Sequence, residues 1–98
     1  MEFAKADDLK RKNQHLIGKQ YKGATIDELI LFPTDIKLSK DYLNIYMQIK
    51  DGEQAIKPFS GVDVDVVAVF DKSTIDAQGF LFQTNILNLS SDLGVIID

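Results

Sequence analysis

Asp41-Tyr-Leu-Asn-Ile-Tyr-Met-Gln-Ile-Lys50 alternates without a break. Leu43, Ile45, Met47 and Ile49 fall on one side, and Tyr42, Asn44, Tyr46, Gln48 and Lys50 on the other. Side chains point alternately to the two faces of a strand, so this pattern predicts a half-buried strand over 41–50. Asp51-Gly52 follows at once. That dipeptide favours a two-residue hairpin, because both of its residues accept positive φ. A return strand is predicted over 53–59, with Pro58 marking an edge or an end.

Toward the C-terminus, Gly61 opens another predicted strand. Val62, Val64, Val66, Ala68 and Phe70 point inward, while Asp63, Asp65, Val67 and Val69 point outward. The outer face begins charged and turns apolar, as expected of a strand that runs under cover. Residues 71–79 read as a polar loop with one helical turn at 73–77. Residues 79–89 predict a last long strand, with Phe80, Phe82, Thr84 and Ile86 on one side and Leu81, Gln83, Asn85, Leu87 and Leu89 on the other. Ser90-Ser-Asp-Leu-Gly94 is turn material, and Val95-Ile-Ile97 reads as a short closing strand or a tail.

Toward the N-terminus, Ala24-Thr-Ile-Asp-Glu-Leu-Ile-Leu-Phe32 precedes Pro33. Its β-branched content and the proline favour a strand. A helix capped by Thr25, with Glu28 three residues on, stays open as the alternative. Ile26, Ile30 and Phe32 are expected on one side and Leu29 and Leu31 on the other, so the end of the strand should be covered on both faces. Residues 33–40 read as a connection. Residues 4–17 predict a helix, with Asp7 and Asp8 in its first turn and Lys10, Arg11, Lys12 and His15 later, as the helix dipole favours. Phe3, Ala6, Leu9, Leu16 and Ile17 form its apolar stripe, interrupted by Asn13, and Gly18 stops it.

One helix and about five strands predict a mainly β chain, α+β by count. The expected body is a small five-stranded barrel or a strongly bent antiparallel sheet, OB-like, with the helix ahead of the first strand. Residues 1–98 read as one domain, with the helix over 4–17 and the β body over 24–97.

The 98 residues are 45% hydrophobic and 27% charged, which fits a globular chain and argues against wholesale disorder. There is no Cys, hence no disulfide framework, thiolate metal site or Cys nucleophile. His15 is the only imidazole and lies among lysines. Asp63 and Asp65 point the same way but lack the Gly and Glu of a calcium loop. No phosphate-binding loop, dinucleotide loop or zinc-protease motif occurs. The expectation is therefore a non-enzymatic chain with no catalytic residue, metal or cofactor. The N-terminus does not resemble a secretory signal and no apolar run could span a bilayer, so a cytoplasmic location without membrane contact is expected.

The formal charge of −4 is unevenly spread. Residues 1–22 carry +3, residues 23–60 carry −2 and residues 61–98 carry −5. Two binding surfaces follow. Tyr42 and Tyr46 share the outer face of the 41–50 strand, about 13 Å apart. With Lys40 and Lys50 beside them, and Lys10, Arg11 and Lys12 on the helix, they supply the rings and cations that single-stranded nucleic acid needs. The competing use of that Tyr face is to be covered by the helix. Alternatively, Asp63, Asp65, Asp71 and Asp76, or an exposed strand edge, would meet a protein partner. Self-association stays open.

Val62-Asp-Val-Asp-Val-Val-Ala-Val-Phe70, a loop, and Gly79-Phe-Leu-Phe-Gln-Thr-Asn-Ile-Leu-Asn-Leu89 together resemble the ending of the small OB-type single-strand DNA-binding proteins of phages and mobile elements. The resemblance covers under half of the chain. It implies single-strand coating or support of a replication enzyme, with Tyr42 and Tyr46 in the stacking role. The alternative partner class is a protein, with the chain as a phage or mobile-element accessory, an immunity protein or an inhibitor.

Overall fold

The computed structural model describes residues 1–37, 39, 41–43, 63–74, 83–89 and 91–97. The expectations for residues 44–50, the hairpin at 51–52, the return strand at 53–59, the strand start at 61–62 and residues 75–82 lie outside them.

The middle of the molecule is an antiparallel pair. Strand β2 (Ala24–Pro33) runs against β3 (Val64–Phe70), with Ile30 opposite Val67 and Pro33 opposite Val64. The 24–32 segment is thus a strand, and the helical alternative is overturned. Its last residues, Leu29 to Pro33, are buried on both faces, as their unbroken apolar run demands. Two short strands flank the pair. Strand β1 (Gln20–Tyr21) reaches β2 through Lys22-Gly23, whose φ values of 50° and 87° are those of a tight primed turn. Strand β4 (Gln83–Asn85) lies along β3. The order is β1-β2-β3-β4, and the fold is α+β and mainly β. Among the described residues the sheet is not closed and has no fifth strand.

A bulge changes the faces of β2. Ile26 sits opposite Phe70 and Glu28 opposite Val69, so Asp27 is one residue too many. An extra residue reverses the alternation. Ile26 therefore shares a face with Ala24, Leu29 and Leu31, and not with Ile30 and Phe32 as strict alternation predicts. Strand β3 carries no bulge and keeps its expected sides: Val64, Val66, Ala68 and Phe70 on the first face, Val67 and Val69 on the second.

Helix α1 (Phe3–Lys12) packs on the first face through Ala6 and Leu9. It starts one residue early and ends five residues before the predicted limit of 17. Asp7 and Asp8 then fall in its second turn, and no acid occupies the first. They pair instead with Arg11 and Lys12 one turn on, at 2.8 and 2.9 Å. Asn13 is why the helix stops. It lies on the buried stripe, fully enclosed, and spends its side chain on two separate segments. Its Nδ2 donates to Leu9 O and to Ile96 O, both at 2.8 Å, while Ile96 N donates to its Oδ1 at 2.7 Å. A short 3-10 turn (Gln14–Leu16) follows and buries Leu16, and Gly18 at φ 91° ends the element. Ile17, assigned to the stripe by spacing, is 41% exposed, since it follows that turn in extended backbone and leaves the helical face.

Two further expectations are corrected, and of the two readings of residues 95–97 the tail holds. Residues 41–43 are helical and not the start of a strand. Ser39 caps this turn: its Oγ accepts from Tyr42 N at 3.2 Å and its carbonyl from Leu43 N at 2.9 Å. Local capping outweighs alternation there. The last strand stops at Asn85, whose Oδ1 accepts from Leu87 N at 2.9 Å and turns the chain into a 3-10 turn over Ile86–Asn88. Val95-Ile-Ile97 forms no strand and is a strap held across the end of α1. In the 71–79 loop a helical turn forms at Lys72–Thr74, and residues 75–77 of the expected turn lie outside the described residues.

Candidate interaction groove

The sequence candidates are distributed over both faces of the sheet. Lys10, Arg11 and Lys12 form the last turn of α1, over the first face, where the negative end of the helix dipole favours cations. Arg11 and Lys12 already have carboxylate partners in Asp7 and Asp8. Tyr42 lies over the second face. Its ring meets Phe32 edge-on at 5.8 Å and stays 42% exposed. Helix α1 therefore does not cover Tyr42. Tyr46, Lys40, Lys50 and Asp76 lie outside the described residues.

The acidic candidates are also separated. Asp63 and Asp65 flank the start of β3, where Asp63 O accepts from Thr34 N at 3.0 Å. Asp71 follows its other end, about 20 Å from Asp65 at the usual rise per residue. The Asp71 carboxylate is committed locally. It accepts from Ser73 N at 3.0 Å and from Ser73 Oγ at 2.9 Å, and these bonds hold it below the usual carboxylate range.

What the fold does bring together is a half-open groove of about 360 Å³ that sequence reading missed. Helix α1 supplies Lys5, Asp8, Leu9 and Lys12, one stripe at spacings of three, four and seven. The turn after β4 supplies Leu87, and the C-terminal strap supplies Ile97. Met1 completes the wall, fixed by an exchange of backbone bonds with Val64 at 2.9 and 2.7 Å. Leu87 and Ile97 are 48% and 68% exposed, a large apolar area to leave in water. Alternation hid both residues, because it placed them in a strand and in a closing segment. The available signal was Asn85, a residue that caps turns readily and breaks the strand just before Leu87.

The strap that carries Ile97 is fixed from one side by polar side chains. Besides Asn13, His15 Nε2 donates to Gly94 O at 2.6 Å and Lys19 Nζ donates to Leu93 O at 3.1 Å. Gly94 takes φ 74°, a conformation that only glycine adopts without strain, and this turns the strap toward α1. Among the described residues no group of three or more His, Asp or Glu is gathered in the manner of a metal site, and no helix is long and apolar enough to cross a membrane. No protein-family profile, characterised protein or solved structure matches the chain.

Proposed function

We propose that this chain is a non-enzymatic protein-interaction module that holds its partner in the groove between α1 and the C-terminal strap. The observation that supports this is the pairing of exposed Leu87 and Ile97 over a floor that includes Leu9, on a wall pinned by Asn13. Apolar side chains on a rigid support gain free energy when a partner removes them from water. The contact is assigned to the groove and not to the acidic residues, since Asp63 and Asp65 stand at the opposite end of β3 from Asp71.

A second reading, as a single-stranded nucleic-acid binder, is favoured by Tyr42, exposed beside Phe32 on the second face. It goes with closure of the sheet into an OB-like barrel. It also requires phosphates to approach a chain with an isoelectric point near 4.8.

One experiment separates the two. A photocrosslinking residue is placed at position 87, and in a second protein at position 42, and the full chain is irradiated in its native cells. The module reading expects one defined protein adduct from position 87 and none from position 42. Nucleic-acid adducts from position 42, with position 87 silent, would overturn it in favour of the second reading.

A further inference from the structure

We infer that the groove selects an acidic segment carrying an aliphatic anchor; this rests on the groove being the protein-contact surface. Its floor and its rim set that chemistry separately. The floor is aliphatic: Leu9 below, Leu87 and Ile97 at the sides. It suits a leucine or isoleucine side chain and offers a nucleic-acid base no ring to stack on.

The rim carries two lysines that are not equivalent. Lys5 and Lys12 lie seven residues apart on one stripe of α1, about 10 Å along its axis. Lys12 is compensated by Asp8 at 2.9 Å. Lys5 has no ion pair among the described residues. It also sits in the first turn of α1, which contains no acid and where the helix dipole is positive. The cation and the dipole add, so a lysine without an ion pair borders an apolar floor, with Glu2 at the N-cap and Asp7 and Asp8 as the acids on the same helix. A partner carboxylate beside its aliphatic anchor satisfies both. The +3 charge of residues 1–22 attracts the same partner at longer range.

The test is a chemical-shift titration of the full chain with three synthetic peptides of about four helical turns. All three carry leucines at helical spacing, and the flanking positions are Glu in the first, Gln in the second and Lys in the third. The Glu peptide is expected to shift amides of residues 5–12, 87 and 97. The Gln peptide should bind about tenfold more weakly, and the Lys peptide should not bind. A K5Q variant, altered at an exposed side chain, should keep the native spectrum and bind the Glu and Gln peptides equally. Equal binding of the Glu and Gln peptides by the native chain would overturn the acid preference and leave the groove as a protein site. Failure of all three peptides to shift the groove would remove the groove itself. A tighter response to oligothymidylate or to anionic vesicles than to the Glu peptide would overturn the inference in favour of those partners.

Discussion

The two faces of the sheet are held by different means. Among the described residues the second face is closed by apolar contact: Ile30, Phe32, Val67 and Val69 against Leu43, with Tyr42 edge-on to Phe32. The first face depends on polar anchors for its outer layer. Asn13, His15 and Lys19 hold the strap, and Tyr21 stacks on Phe70 at 6.3 Å while its hydroxyl donates to Asn88 O at 3.4 Å. Apolar contact tolerates small shifts, whereas hydrogen bonds fix a segment in one register. The groove lies on the face where register is fixed.

Substitutions can break this contrast one side at a time. The largest effect is expected from F32A, which empties the second face. Phe32 is 1% exposed, so the cost should be about 3–5 kcal/mol in denaturant unfolding, spread over the whole sheet. N13L should cost less, about 2 kcal/mol, because it removes three hydrogen bonds from a fully buried site. Its signature should be local: the Ile96 amide loses protection from hydrogen exchange while Ile30 and Val67 keep theirs. Equal loss on both faces would mean that the strap is not a separate layer. G23A should cost about 1 kcal/mol, since the turn between β1 and β2 needs φ 87° at that position and the new methyl group meets no neighbour.

The smallest effect concerns Asp71, at the far end of β3. Its carboxyl is held below the ordinary range by Ser73, so the folded chain binds that proton more weakly than the unfolded chain does. The resulting stability is complete above the ordinary carboxylate value and is lost as pH falls through the lowered one. S73A should remove this small increment at neutral pH and leave stability below the lowered value unchanged, so this part of the acid unfolding curve flattens. An unaltered acid limb would show that the Ser73 bonds do not hold the carboxyl down.

The sequence made legible the elements whose local and tertiary preferences agree. Strands β2 and β3 are rich in β-branched residues and are also central, so alternation and burial coincide. The readings failed where one polar residue overrode a pattern. Asn13 reads as an interruption of an apolar stripe, yet it is enclosed and bonded to a segment far along the chain. Ser39, in the connection at 33–40, starts a turn that runs into the alternating stretch, and Asn85 starts one inside the last strand. Asp27 enters β2 as an extra residue and exchanges the sides of Ile26 and its neighbours. The groove was illegible for the same reason: Leu87 and Ile97 become neighbours of Lys5 only through those polar turns and anchors. Tyr42 and Leu43 still take opposite sides, one exposed and one buried, although their backbone is helical, because neighbouring residues diverge in either conformation.

The central claim is that the pinned face is the one that meets the partner. Hydrogen exchange of the full chain, with and without the Glu-flanked leucine peptide, tests it most directly. The account predicts slower exchange in α1 and at residues 93–97, with residues 30–32 and 41–43 unchanged. Slower exchange at 30–32 and 41–43, with α1 and the strap unaffected, would contradict it.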